Sequence, residues 1–393
     1  MPSPRAYFDH NATTPLHPEV LTGLSFVLEE VFGNASSIHQ DGQRARHLVE
    51  DARRKVASLI GADPREIVFT SGGTESDNTA IFGVVVGADR TVSKHTVSKH
   101  IVTTTIEHPA VLNTCERLQQ LGVDVTYVPV GASGVVDPDD IRRALRPETV
   151  LVSVMHANNE IGTVQPVGEI SRICREAGVT FHVDGVQSCA KVPLDLSALG
   201  VDLFSLSAHK FYGPKGVGVL SVRKGTRLNK LLYGGRHERD RRPGTENVPG
   251  IHALGIAAEV AKMTLENDAN VLENLRNHLE AEILRRIPDA RVNSASSPRL
   301  PNTSSICIPG VEGEPMVIAL DLRGFAVSSG AACSSGSVEP SHVLTAIGLS
   351  REDARSCLRI SLGAGNSLEQ VDSLVGAMEE VAVQLRRVAP AAR

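Results

Sequence analysis

The chain has no tryptophan, and aromatic residues make up only 3% of its 393 positions. Its core must therefore be built from Val, Leu, Ile and Ala, within a hydrophobic content of 41% that suits an ordinary globular protein. No apolar run approaches the roughly 20 residues that a membrane-spanning helix needs. The opening residues Met1-Pro2-Ser3-Pro4-Arg5-Ala6-Tyr7 carry no apolar signal core, so no membrane association and a cytoplasmic location are expected. The formal net charge is -5 and there is no long basic stripe, which argues against nucleic acid as a direct partner. The six cysteines (Cys115, Cys174, Cys189, Cys307, Cys333 and Cys357) are scattered without a CxxC pair. That spacing argues against both a zinc site and a disulfide framework.

What is present is alternation. Apolar stretches at 66–70, 101–106, 123–130, 149–155, 179–183, 201–206 and 217–222 read as about seven strands. Helical patterns separate most of them, and Ala45, Leu48, Val49, Ala52, Val56 and Leu59 form one that Gly61 closes. This order predicts a mainly parallel sheet with helices on both faces and ligands at the strand ends. A long helix is expected over about 250–287. Beyond it, strands near 304–308, 326–329 and 358–362 and helices near 315–322, 339–347 and 368–388 predict a small α+β domain. The expected division is 15–257 for the large domain, with 1–14 and 258–393 forming the small one. The exact tandem Thr-Val-Ser-Lys-His at 91–95 and 96–100 reads as a duplication in a surface loop. Residues 231–247, rich in Gly and charge, form either a solvated loop or one that reaches into a neighbouring active site.

Polar clusters fall at the strand ends. Ser207-Ala208-His209-Lys210 closes one apolar run before a turn on Gly213-Pro214, and a lysine there can form a Schiff base with a carbonyl cofactor such as pyridoxal 5'-phosphate (PLP). Ser71-Gly72-Gly73-Thr74 between a strand and a helix is either a phosphate cradle or a simple turn with Thr74 as N-cap. Asp184 can keep a pyridine nitrogen protonated, and Gln187 can hydrogen-bond the ring hydroxyl. His108 offers a flat ring for stacking, and Asn159 can reach the hydroxyl or the substrate. Gly73, Thr74, Ser207 and His209 can hold the phosphate. Each of these residues alone is more often structural. Five such clusters on one sheet together meet the needs of a PLP site.

Gly72-Gly73-Thr74-Glu75-Ser76-Asp77-Asn78, Glu107-His108-Pro109, Asn158-Asn159-Glu160-Ile161-Gly162, His182-Val183-Asp184 and Ser207-Ala208-His209-Lys210 resemble the cysteine desulfurases of the NifS/IscS type, a class V aminotransferase-like group. The resemblance runs in register from Tyr7 to about Leu362. It implies the α/β architecture of PLP-dependent transferase fold type I, with a mostly parallel seven-stranded sheet and a smaller α+β domain. It implies Lys210 as the Schiff-base lysine, His108 as the stacking imidazole, and Asp184 and Gln187 as ring contacts. Thr74, Ser207 and His209 would hold the phosphate, joined by Thr245 from the second subunit of a homodimer. Arg359 would bind the substrate carboxylate by bidentate pairing. The chain departs from the commonest pattern at Ala331-Ala332, at Gly235-Arg236-His237 and in the duplicated segment.

Cys333 lies in Ser328-Ser329-Gly330-Ala331-Ala332-Cys333-Ser334-Ser335-Gly336-Ser337, a stretch too rich in Gly and Ser to pack. An exposed thiol there can ionise and attack. The stretch is similar to the long catalytic loop of the NifS/IscS group. The other five cysteines are expected in helices or strands as buried small hydrophobes. The resemblance implies that L-cysteine is converted to L-alanine, with its sulfur carried as a persulfide on Cys333 to an acceptor or iron–sulfur scaffold protein. It implies no resident metal; contact with iron–sulfur cargo would fall to Cys333. A PLP-dependent C–S lyase or selenocysteine lyase on the same fold, and a PLP-free sulfur carrier, are the alternatives. Cys333 argues against the first, and Lys210, Asp184 and His108 argue against the last.

Overall fold

The structure is a computed structural model and describes residues 5–88, 91–92, 95–96, 99–329 and 340–388; Cys333 lies outside the described residues. The chain begins with a short strand, β1 (Ala6–Tyr7), and helices α1 (Pro18–Glu30) and α2 (Gln40–Ile60). In α2 the apolar residues Ala45, Val49, Ala52 and Val56 recur at helical spacing and are all buried. Gly61 then ends the helix at φ 64°, where a side chain would be strained.

An alternating run follows: β2 (Ile67–Thr70), α3 (Gly73–Gly87), β3 (Thr91–Val92), β4 (His95–Thr96), β5 (His100–Thr104), α4 (Pro109–Gln120) and β6 (Asp124–Val128). It continues with α5 (Pro138–Ala144), β7 (Thr149–Met155), α6 (Val167–Ala177), β8 (Thr180–Asp184), α7 (Leu196–Leu199), β9 (Leu203–Ser207) and β10 (Gly218–Val222). Seven strands form one sheet in the order β2-β10-β9-β8-β7-β5-β6. Only β10 runs against its neighbours. Every residue of β7, β9 and β10 is buried, as a sheet covered on both faces requires. Alternate residues feed opposite layers: Val152 and Phe204 enter one apolar cluster, Leu151 and Leu203 the other. Within the duplicated segment β3 and β4 pair antiparallel, so a short ribbon stands where a plain loop was expected.

Helix α8 (Val248–Arg286) joins two cores. Ile251 and Leu254 pack into the large cluster, whereas Leu279 and Ile283 belong to a second one. That second core lies under β11 (Arg291–Val292), β12 (Thr303–Cys307), α9 (Gly313–Asp321), β13 (Phe325–Ala326) and β14 (Ser328–Ser329). The chain ends with α10 (His342–Ala346), α11 (Arg351–Arg355), β15 (Cys357–Ser361) and α12 (Leu368–Val388). The small sheet is antiparallel in the order β11-β12-β15-β14, and β1 pairs with β13. Leu358 and Ile360 of β15 face the second core, so the residues that alternate with them, Cys357, Arg359 and Ser361, face the large sheet.

The 231–247 segment is anchored rather than freely solvated. Buried Glu238 accepts hydrogen bonds from Arg53 Nη1 (2.9 Å), Arg53 Nη2 (2.8 Å) and Phe69 N (2.8 Å). Arg242 Nε donates to Glu75 in the first turn of α3 at 2.9 Å. Glu238, Arg239 and Asp240 all adopt positive φ (44°, 57° and 65°), a strain that the buried pair must offset.

Candidate active site

The C-terminal ends of β2, β5, β7, β8 and β9 share one edge of the large sheet, and a cavity of about 360 Å³ opens there. It is lined by Gly73, Thr74, His108, Asn159, Asp184, Gln187, Ser207, His209, Lys210 and Arg359, together with Asn11, Ala12 and Asp77. Among the described residues, the cavity thus gathers every site residue expected from the sequence except Thr245. Thr245 is exposed and lies outside its own chain's cavity.

Local chemistry explains each placement. β9 stops at Ser207, and Ala208–Lys210 form a single 3-10 turn, so Lys210 leaves the sheet at its edge. Its Nζ donates to Asn11 O (2.7 Å) and Ala12 O (2.9 Å). His108 caps α4, with Nδ1 accepting from Ala110 N at 3.1 Å and Pro109 taking the first helical position. That bond fixes the ring and leaves Nε2 for other contacts. Burial pushes the His108 pKa down, Asp184 pulls it up and Lys210 pushes it down. His209, whose Nδ1 lies 3.1 Å from Thr13 Oγ1, is pushed down to about 4 by burial and then by Lys210.

The cap of α3 differs from one expected alternative. Gly72, at φ 153°, occupies the N-cap position without a side-chain bond, and Thr74 is the second residue of the helix. The backbone N–H groups of this first turn have no acceptor within the helix. A Cβ on Gly73 would come within 2.7 Å of Val186 Cγ2, so glycine keeps this turn open. Bare N–H groups, an open turn and Ser207 alongside suit an oxyanion ligand such as phosphate.

Three carboxyl groups cluster beneath the cavity. Asp77, Glu107 and Asp184 are all buried, and burial raises the pKa of each. Asp184 further raises Asp77 and Glu107, and Asp77 Oδ1 has no hydrogen-bond partner. Buried acids with an unpartnered oxygen beside an open cavity suit a ligand that brings a hydrogen-bond donor or a positive charge. His182, between Ser153 Oγ (2.8 Å) and Ser205 Oγ (3.0 Å), has its Nε2 3.5 Å from Asp77 Oδ1, and burial pushes it down to about 3.

The acid cluster has a consequence for stability. Burial lifts Glu107 to about 8, while its Oε1 accepts from Thr104 Oγ1 (2.6 Å) and Met155 N (3.0 Å). The folded chain then keeps a proton that the unfolded chain releases near pH 4.5, so this group costs stability progressively as pH rises from about 4.5 to about 8. Glu107→Gln retains the accepting oxygen without the charge. It should flatten that slope and gain on the order of 2 kcal/mol at pH 8. Thermal melts of both proteins at pH 5.5 and 8.5 test this; parallel curves would refute it.

Arg359 reaches the cavity from β15. Its Nη2 donates to Asp9 Oδ1 (2.8 Å) and Nη1 to Asn159 O (3.2 Å), while the buried Nε has no partner. A guanidinium carries five N–H donors. Two are used here, so a planar fork remains for a carboxylate. Ser328 of β14 pairs directly with Arg359. On the far side of the undescribed stretch, Ser341 Oγ donates to Glu160, and His342 Nε2 lies 2.9 Å from Glu107 O. Both flanks of the segment that bears Cys333 are therefore fastened at the cavity rim.

The profile of the class-V aminotransferase family matches residues 6–374. The cysteine desulfurase IscS of Dictyoglomus turgidum (strain DSM 6724 / Z-1310) is 47% identical over 98% of this chain and 96% of its own length. The chain belongs to the class-V aminotransferase family, among the cysteine desulfurases of the IscS/NifS type. A solved NifS-like protein superposes with a TM-score of 0.90 at 39% identity, over 97% of this chain and 100% of its own. The structure described as SspA in complex with cysteine gives a TM-score of 0.79 at 36% identity, covering 91% of this chain and 98% of that one.

Members of this family are in general PLP-dependent. The open α3 turn, the unpartnered Asp77 oxygen beside Asp184 and the lysine at the strand end are consistent with that cofactor. Two residues of this family member were not singled out from the sequence. Asn11 O accepts from both Lys210 and Gln187 Nε2 (2.9 Å), and Lys191 Nζ donates to Gln187 Oε1 (2.8 Å) and Asn11 Oδ1 (3.0 Å). Lys191 thereby fixes which way the Gln187 amide points. Burial, and then Lys210 and Arg359, push Lys191 well below the usual lysine range. Asp77 was quoted only as part of a motif. Its spacing of three from Thr74 on one helix is the signal that could have marked it.

Proposed function

We propose that this chain is an L-cysteine desulfurase that yields L-alanine and passes the sulfur, as a persulfide on Cys333, to an acceptor for iron–sulfur cluster assembly or thiolation. PLP, held covalently by Lys210, would supply the electron sink that lets the α-proton leave and weakens the C–S bond. Gly73, Thr74, Ser207 and His209 would hold its phosphate, His108 its ring face, Asp184 its nitrogen and Gln187 its hydroxyl. The remaining work belongs to the chain itself. Arg359 grips the substrate carboxylate, and Asn159 lies beside it. Lys210 Nζ takes up the α-proton and later returns one to the product. Cys333, as thiolate, attacks the substrate sulfur; the S–S bond forms as the C–S bond breaks, and the electron pair stays with the carbon fragment.

The observation that carries this reading is the Ser328–Arg359 pairing. Cys333 is five residues beyond Ser328, a tether of at most about 18 Å. The thiol is thus within reach of a substrate held by Arg359. Thr245, exposed and outside the lining of its own cavity, supports a homodimer in which it completes the partner's phosphate site. Phe32 and Ile38 beside α1 and α2, 87% and 93% exposed, are apolar surface that such a dimer could cover. The two cores joined by α8 support residues 15–257 as the large domain and 1–14 with 258–393 as the small one. The cytoplasm suits a chain in which no described helix is long and apolar enough to cross a membrane.

The test is product analysis after incubation with L-cysteine and a thiol reductant, wild type beside Cys333→Ala. Alanine and sulfide from the wild type alone are expected. Pyruvate and ammonia from both would make the protein a lyase and refute the proposal.

A further inference from the structure

Two buried cysteines face each other across the small sheet. Cys307 of β12 lies directly opposite Cys357 of β15, and Ile308 N donates to Ser356 O at 3.0 Å. The pair therefore sits between ladder hydrogen bonds, where opposed Cα atoms are about 4.5 Å apart, within the roughly 4.4–6.8 Å range of disulfides. Both thiols converge on one carbonyl: Cys357 Sγ donates to Asp353 O at 3.2 Å and Cys307 Sγ at 3.4 Å. Arg291 Nη2 is 3.7 Å from Cys307 Sγ, and its side chain is half exposed, so Cys307 lies one side chain below the surface. The Cys357 S–H and then Arg291 hold Cys307 below the usual thiol range, whereas Cys357 is pushed up. Cys115, Cys174 and Cys189 are instead pushed up to about 12 by burial.

We propose that Cys307 and Cys357 form a reversible disulfide under peroxide and that this bond loosens the grip of Arg359 on substrate. The Cys307 thiolate attacks one peroxide oxygen and, with one proton taken up, gives a sulfenic acid and water. The Cys357 thiol then attacks that sulfur, forming the S–S bond and releasing a second water. The two thiols lose two electrons and two protons in all, and two equivalents of a small thiol reverse the change. The next pair on the same face is Ser305 with Arg359. A disulfide draws opposed Cβ atoms to about 3.8 Å from the 4.5–5.5 Å of an ordinary cross-strand pair. Strand β15 moves with it. The effect on Arg359 rests on the carboxylate role proposed above; the disulfide does not.

The experiment uses Cys333→Ala holoenzyme treated with hydrogen peroxide, alkylated and digested with trypsin. The peptide Leu300–Arg323 should appear linked to Ser356–Arg359 with the loss of two hydrogens, and dithiothreitol should separate them. Cys115, Cys174 and Cys189 should stay alkylatable. With Cys357→Ser added, dimedone should label Cys307. L-alanine, a carboxylate ligand without a thiol, should bind about tenfold more weakly to the oxidised protein by spectral titration, recovering on reduction. Cys307 and Cys357 both remaining alkylatable after peroxide would overturn the site. A linked pair with unchanged L-alanine affinity would overturn the coupling to Arg359. A reduced protein that does not bind L-alanine would strike the function proposed above, while the peptide analysis would still decide the disulfide.

Discussion

Cys333→Ser should leave the cofactor absorbance intact and lower sulfur transfer by about 10³-fold or more, the scale on which losing a nucleophile is felt. A serine hydroxyl stays protonated at neutral pH, and its oxygen cannot carry sulfur as a persulfide does. Lys210, Asp184, His108 and Arg359 all lie in the cavity and are untouched by the change, so L-alanine binding followed by absorbance should match the wild type. The five described cysteines cannot substitute, because all are buried. Alanine formation at the wild-type rate with a thiol acceptor would remove Cys333 from the reaction.

The strand-end residues were legible because each is a polar residue that closes an apolar run, and a parallel sheet delivers such residues to one edge. That logic reached Lys210, Asp184, His108 and the Gly72-Gly73 turn. It did not reach Lys191, whose neighbours in the chain give no sign that its Nζ bridges Gln187 and Asn11. Asn11 drew no reading of its own, because its partners Asn159, Thr303 and Lys210 lie 148 to 292 residues away. The burial of the five ordinary cysteines was foreseen, although Cys189 sits in a turn rather than in a helix or strand. The facing of Cys307 and Cys357 was not foreseen, since strand register depends on pairing that no local pattern states. The anchoring of the 231–247 loop was not foreseen for a similar reason. Its charge looked like solvated surface, yet Glu238 is the partner of an arginine 185 residues away.

Lys210→Ala should lower alanine formation by about 10⁴-fold or more, because one side chain provides both the cofactor's covalent tether and the proton shuttle. The two losses can be separated. Borohydride treatment of the wild type should fix the cofactor on the tryptic peptide containing Lys210, and the variant should show no fixed cofactor. A small amine such as methylamine fits the space the side chain leaves and should restore part of the proton transfer but none of the fixation. Lys191 makes this a demanding test, because it is a second lysine near the cavity with a strongly lowered pKa. Its Nζ, however, is committed to Gln187 and Asn11, at 2.8 and 3.0 Å. Lys210 lines the cavity that holds Asp184 and His108, and Lys191 does not. Cofactor fixed on Lys191 in the wild type, or a Lys210→Ala variant with undiminished turnover, would overturn the assignment of the site.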